Sequence, residues 1–152
     1  MNDDPDFPQS AMIALLPTTT DWCKIALPHM TLVYAGDISS LEPGDFNRLA
    51  KDACALAMVT RTMTLEVLGK EPFGNWQDDP NAMVDVFRLR ATPQLLAMRH
   101  MVEGWNASEF DFNPHVTIGP ASQNFVEQPR YLTFNKVYVG WGSDYLTFNM
   151  MP

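Results

Sequence analysis

The 152-residue chain has little cysteine, and this shortage excludes a disulfide-stapled scaffold. Its two cysteines, Cys23 and Cys54, are too few for a disulfide framework at this length. Neither stands in a CxxC pair or in a zinc-ligand spacing. We therefore expect reduced thiols in a cytoplasmic protein.

Positive charge is also scarce. The chain has ten Lys and Arg residues and eighteen Asp and Glu residues, which gives a formal net charge of −8. Binding of long nucleic acids depends on several Lys or Arg contacts to phosphates, so duplex DNA and long RNA are poor ligands for this chain. A small nucleotide suits the charge better.

Long apolar runs are missing as well. No stretch approaches the roughly 20 apolar residues of a membrane span, and the acidic N-terminus lacks the basic region of a signal peptide. The sequence therefore predicts a protein that is neither bound to a membrane nor exported.

The sequence does have enough apolar residues for one core. Its length and its 46% apolar content are those of a single globular domain over residues 1–152. Residues 1–9, which are rich in Asp and Pro, are predicted to be a flexible lead-in.

Apolar periodicity predicts the order strand, strand, helix, strand, strand, helix, strand, strand, strand. Thr92 is the predicted N-cap of the second helix, with Pro93 at the first helical position. The segment 69–80 is predicted to be a loop because it is rich in Gly, Pro and Asp. The chain is therefore expected to be α+β, with two roughly equivalent halves.

Two short stretches repeat the pattern Pro-His-apolar-Thr-apolar. They are Pro28–Val33 and Pro114–Gly119. Side chains alternate between the faces of a strand, so His29 and Thr31 share one face, and His115 and Thr117 share another. A lone histidine in an apolar strand is more often structural than catalytic. Two of the three histidines lie in this matched context, however, which favours a common function.

Paired histidines suit the cleavage of a phosphodiester without a metal. One imidazole takes a proton from the attacking hydroxyl and the other protonates the leaving alkoxide, each transfer contributing about 10²–10⁴-fold. The hydroxyls of Thr31 and Thr117 are expected to hydrogen-bond the non-bridging phosphate oxygens. The pattern does not decide which histidine is the base. No HxH, HExxH or clustered carboxylate accompanies either strand, so we predict no metal and no cofactor.

These motifs resemble the 2H phosphoesterase superfamily, and the resemblance covers nearly the whole chain. It rests on His29–Asp37, on Leu65–Gly69 with Phe73 and Ala82–Val84, and on Phe112–Ile118. It implies the LigT-like α+β fold, in which two antiparallel sheets line a central cleft and the helices lie outside. It also implies that His29, Thr31, His115 and Thr117 converge in this cleft. The implied chemistry is metal-independent, on 2′,3′-cyclic or 2′-hydroxyl-adjacent phosphodiesters of nucleotides.

Phage anti-CBASS enzymes are similar to this chain in size and motif arrangement. They destroy the cyclic oligonucleotide signals of bacterial immunity, so we predict a phosphoric diester hydrolase for cyclic nucleotides or cyclic oligonucleotides in a host cytoplasm. Relatives that act on RNA ends often carry a basic residue soon after the second motif, where this chain has Gly119–Pro120. Hydrolysis of 2′,3′-cyclic phosphates on RNA ends is the alternative. A non-catalytic nucleotide sponge and a protein that keeps only the fold are further alternatives, and the sequence leaves the oligomeric state open.

Other residues are secondary candidates. Trp76 lies in the Gly/Pro loop, where its ring suits either base stacking or anchoring of the loop, and the sequence does not separate the two. Tyr34 is predicted to lie on the strand face opposite His29. Arg88 is one of several basic residues that could add local positive charge. The late strand offers three candidates for lining the cleft: Lys136, Tyr138 and Trp141.

Overall fold

The computed structural model describes residues 9–23, 25–74, 83–120 and 127–152. The predicted flexible segment, apart from Gln9, lies outside the described residues, and so does Trp76. The helices and strands are β1 Ser10–Pro17, β2 Met30–Asp37, α1 Asp45–Val59, β3 Met63–Phe73, β4 Val84–Leu89, α2 Pro93–Val102, β5 His115–Pro120, β6 Tyr131–Trp141 and β7 Asp144–Asn149. This is the predicted order. No helix of the described residues is long and apolar enough to cross a membrane.

The seven strands pair antiparallel in one continuous sheet, in the order β2-β1-β6-β3-β4-β5, with β7 also paired to β6. The halves β2-β1-β6 and β5-β4-β3 match, because each runs from a histidine strand at the end of the sheet to a long strand in the middle. The long strands join the halves where Met63–Glu66 pairs with Tyr131–Phe134. The predicted α+β architecture of two equivalent halves is confirmed, but the two predicted sheets are joined into one continuous sheet by the pairing of β3 with β6.

One large apolar core lies on the side of the sheet that the helices cover. It contains Met30 and Leu32 from β2 together with Val116 and Ile118 from β5, each at most 2% exposed. The helices add one apolar stripe each at helical spacing: Leu49, Ala53, Leu56 and Ala57 from α1, and Leu95, Met98 and Val102 from α2. The motif residues that alternate with this apolar set are therefore free to face the other way.

β3 is longer than predicted. Gly69–Phe73, predicted to begin a loop, continues the strand and pairs with β4 as far as Val84. The register shifts between Val67 and Gly69, a bulge that lets one strand pair first with β6 and then with β4. Pairing with β4 thus outweighs the local Gly and Pro signals, and it carries Phe73 towards the second histidine strand.

The predicted start of α2 is confirmed in detail. Thr92 Oγ1 accepts a hydrogen bond of 3.2 Å from the backbone N–H of Leu95, and Pro93 occupies the first turn. This bond satisfies one of the backbone donors that the first turn of a helix leaves without a partner.

We predict that Thr92→Ala lowers the free energy of unfolding by about 1 kcal/mol, because the cap is lost. Urea denaturation followed by circular dichroism measures the change. Thr18→Ala, at an exposed threonine after β1, is the control and should shift stability by less than about 0.5 kcal/mol. Equal losses in the two variants would contradict a stabilising role of the cap.

Candidate active site

His29 directly precedes β2, His115 is the first residue of β5, and the same local bond holds each ring. His29 Nδ1 lies 2.9 Å from the carbonyl oxygen of Leu27, and His115 Nδ1 lies 2.7 Å from that of Asn113. A carbonyl oxygen only accepts hydrogen bonds, so Nδ1 carries the hydrogen on both rings. Nε2 is therefore the nitrogen on each ring that can take up or release a proton.

The two histidine strands are the two ends of the sheet order, yet they come close together in space. Thr31 of β2 and His115 of β5 line one cavity of about 950 Å³. Burial lowers the pKa of His29 from 6.5, the bond to Leu27 raises it, and the positive charge of His115 lowers it again. The charge of the His115 imidazole thus acts on His29 and, together with burial, favours the neutral form of His29.

The threonines lie on the same strand faces as the histidines, as predicted. Thr31 is half-buried, with Oγ1 4.0 Å from Met12 Sδ of β1, and Thr117 is half-buried opposite Val86 of β4. Of the four motif side chains, Thr31 and His115 line the cavity. His29 and Thr117 are not among its described lining residues. The positive charge of His115, which does line the cavity, lowers the pKa of His29.

A row of aromatic rings supports His29. The His29 and Tyr138 rings stack with centroids 6.1 Å apart and planes 18° apart, and Tyr138 stacks on Tyr145 at 5.4 Å and 27°. Burial, and then the neighbouring Tyr145, raises the pKa of Tyr138, so its phenol stays neutral. Gly140 leaves room for this ring, since a Cβ there would stand 2.8 Å from it. These contacts restrict the orientation of the His29 ring.

The prediction that Tyr34 faces away from His29 is wrong. Leu32 is an extra residue in the pairing of β2 with β1, between Thr31 and Val33. This bulge interrupts the alternation of side chains, so Val33 enters the core and Tyr34 joins the face that carries Thr31. Tyr34 therefore lines the same cavity as Thr31.

The three candidates on β6 divide between the two faces of the sheet. Tyr138 and Thr31 both pair with Ala14 of β1, so they lie on one face, and alternation puts Lys136 there too. The prediction that Trp141 lines the cleft is wrong. Its ring packs against Phe46 of α1, with centroids 5.5 Å apart, because Trp141 lies three positions after Tyr138, an odd step that turns it towards the helices.

Two further residues reach His115 from neighbouring strands. The Phe73 ring lies 4.7 Å from the His115 ring, centroid to centroid. Arg88 is the cross-strand partner of His115, and its Nε lies 3.2 Å from a carboxylate oxygen of Glu71. A positive charge thus lies on the His115 face although no basic residue follows the motif in sequence. The sequence analysis named Arg88 as a possible source of local positive charge, but only the register between β4 and β5 places it beside His115.

The site has no cluster of metal ligands in the described structure. Within the part of the chain that the structure describes, no group of three or more His, Cys, Asp and Glu side chains comes together.

The fold is similar to several solved structures over nearly its whole length. Escherichia coli LigT in its apo form is 15% identical, with 95% of this chain and 98% of that chain covered and a TM-score of 0.55. TT0787 of Thermus thermophilus is 12% identical, with coverages of 92% and 95% and a TM-score of 0.61. Usb1 of Kluyveromyces marxianus is 9% identical, with coverages of 95% and 99% and a TM-score of 0.63. The predicted LigT-like fold is confirmed. No family model and no curated protein matches the sequence.

We predict that the His29 ring titrates below 6.5, and that His115→Gln moves its pKa upward while burial still keeps it below 6.5. The reason is that the substitution removes a nearby positive charge but leaves His29 buried. NMR titration of the imidazole protons measures both values.

His100→Gln is the matched control for this titration, because His100 is exposed on α2 and pairs with Glu103. It should leave the pKa of His29 unchanged. An unchanged pKa of His29 in the His115→Gln variant as well would mean that the two imidazoles are not coupled.

Proposed function

We propose that this protein is a metal-independent phosphodiesterase that cleaves nucleotide phosphodiesters with two histidines, His29 and His115. The observation that carries the proposal is the matched geometry of the two rings. Each is oriented by a bond from Nδ1 to a backbone carbonyl two residues earlier, and the charge of one lowers the pKa of the other. Two imidazoles with Nε2 available for proton transfer are what acid and base catalysis on one phosphoryl group requires.

The lowered pKa of His29 supports its assignment as the general base, because it keeps this imidazole neutral near pH 7. In the proposed step, His29 Nε2 takes the proton from a ribose 2′-hydroxyl or a water. The freed oxygen bonds to phosphorus, the bond to the 5′-oxygen breaks, and His115 Nε2 protonates that leaving oxygen. Thr31 and Thr117 donate hydrogen bonds to the non-bridging oxygens, whose negative charge grows in the transition state.

Cyclic nucleotides and cyclic oligonucleotides are the substrates that we propose. The cavity of about 950 Å³ is within the range of sites for nucleotide-sized ligands, and the net charge of −8 disfavours long polyanions. LigT, whose fold this chain shares, has been crystallised with 3′-AMP and with NADP⁺. The biological role that fits these substrates is removal of the cyclic oligonucleotide signals of bacterial immunity by a phage protein in the host cytoplasm.

One observation favours a second candidate, the hydrolysis of 2′,3′-cyclic phosphates on RNA ends. Arg88 lies across from His115 with its side chain 43% exposed, and its charge could hold a phosphate of a short strand. Chromatography of the products from cyclic mononucleotides, cyclic di- and trinucleotides and RNA with a cyclic phosphate end distinguishes the two candidates.

We predict that His29→Ala and His115→Ala each lower kcat by about 100-fold or more on the cleaved substrate, because each removes one proton transfer. The single threonine variants Thr31→Ala and Thr117→Ala should lose less, about tenfold, because one neutral hydrogen bond to the transition state is lost. Chelation with EDTA should leave the rate unchanged.

His100→Ala is the control for these rates and should cleave like the wild type, since it lies outside the motifs. Near wild-type cleavage by either motif histidine variant, with a native circular dichroism spectrum, would contradict the proposal, and so would inactivation by EDTA. Tight binding of a nucleotide with no product would identify a nucleotide sponge instead.

A further inference from the structure

The cavity lined by His115 and Thr31 is larger than a phosphoryl group needs. Its other walls come from β2 and from the segment between α2 and β5. They are rich in aromatic rings, including Tyr34, Phe110 and Phe112. Flat aromatic walls fit a nucleobase, because every base offers a π-face for stacking.

Arg99 of α2 is the one Lys or Arg among the described residues that line this cavity. Its side chain is only 13% exposed, its guanidinium carbon lies 5.4 Å from the Phe112 ring centroid, and its Nη1 lies 3.6 Å from a Glu103 carboxylate oxygen. Its Nε is buried and has no hydrogen-bond partner among the described residues. Buried donors are normally hydrogen-bonded, so the guanidinium keeps hydrogen-bonding capacity that the described residues do not use, on a side chain that lines the cavity.

The polar side chains beside Arg99 are already bonded within the wall. The Asn106 amide donates to the Ser108 carbonyl and accepts from the Ser108 N–H, and Ser108 Oγ accepts from the N–H of Phe110. These bonds fix the shape of the wall before any ligand arrives. They also leave Arg99 as the charged donor that a ligand would meet on this wall of the cavity.

The charges around Arg99 favour a neutral acceptor over a second phosphate. Glu103 already pairs with Arg99, and Glu109 and Asp111 line the hollow that adjoins it, so a further anion would be repelled. Guanine is neutral and presents O6 and N7 side by side, a spacing that matches two parallel N–H groups of an arginine. Adenine carries a donor in place of O6 and does not match.

A carboxylate in the same cavity suits the other edge of guanine. Asp111 lines the cavity together with Arg99, and the described ion pairs join Arg99 to Glu103 rather than to Asp111. The N1–H and the amino group of guanine are donors that a carboxylate can accept.

We propose that this cavity binds a guanine base of the substrate, with Arg99 donating to O6 and N7 and Asp111 accepting from N1–H and the amino group. The inference rests on the proposed function, since the base belongs to the nucleotide whose phosphodiester the histidines cleave. Arg99 is then a specificity residue, because it contacts the base and not the reacting phosphate.

Isothermal titration calorimetry with 5′-GMP, 5′-IMP, 5′-AMP and inorganic phosphate tests the proposal. IMP keeps O6, N7 and N1–H but lacks the amino group, so the difference between GMP and IMP reports the contact of Asp111 with the amino group. The wild type should bind GMP and IMP at least tenfold more tightly than AMP. Arg99→Met, which keeps the length of the side chain over Phe112, should remove most of the preference of GMP and IMP over AMP and leave AMP within about twofold.

Arg99→Lys keeps the charge but not the paired N–H groups, and it should lose the preference like Arg99→Met. It also provides the test if Arg99→Met fails to fold. Asp111→Asn should weaken GMP more than IMP. Arg48→Met is the matched control, because Arg48 is an exposed helix arginine that pairs with an acidic neighbour, Asp45, away from the cavity. It should bind like the wild type.

Equal affinity for GMP and AMP in the wild type, or no binding of either, would overturn the guanine assignment. An equal loss of GMP, AMP and inorganic phosphate in Arg99→Met would also overturn it and would assign Arg99 to a phosphate. Nucleotide binding does not require turnover, so the calorimetric result is obtained separately from any measurement of catalysis. A protein that prefers GMP but cleaves no diester would refute the catalysis, and one that cleaves diesters without this preference would refute only the guanine site.

Discussion

The pairing of β3 with β6 is the contact on which the candidate site depends. It joins two three-stranded halves into one sheet, and it leaves the two histidine strands as the outermost strands. The shared apolar core, which contains Met30 of β2 and Val116 of β5, then holds these outer strands close together. His29 and His115 are 86 positions apart in sequence, and the charge of His115 can lower the pKa of His29 only because both the junction and the core are formed.

Strand alternation couples the stability of this protein to its chemistry. In each motif the apolar residues are almost fully buried, while the histidine and threonine between them stay partly exposed. The core thus fixes the backbone that presents the polar pair, and the bond from Nδ1 to a preceding carbonyl then fixes each ring. Burial also lowers the pKa of His29, so the packing that holds this ring helps to keep it neutral.

Much of this arrangement was predictable from the sequence, because it depends on local sequence patterns. The repeated motif, the alternation around His29 and His115, and the Thr92 cap each depend on neighbours within a few residues. The positions that the sequence did not predict depend on register between strands. The bulge at Leu32 turns Tyr34 towards the cavity, and the pairing of β4 with β5 sets Arg88 beside His115. The contribution of Arg99 to the cavity likewise follows from packing between elements, which no local pattern encodes.

The central claim is that a neutral His29 and a charged His115 act together on one phosphodiester. The pH dependence of kcat/KM for the cleaved nucleotide tests it most directly, because it reports the protonation states of both groups in the free protein. We expect a bell-shaped profile, as for an acid and a base that act together, and its acidic limb should lie below pH 6.5, where His29 gains its proton. A rate that is independent of pH, or that rises steadily with pH through the neutral range, would contradict the claim.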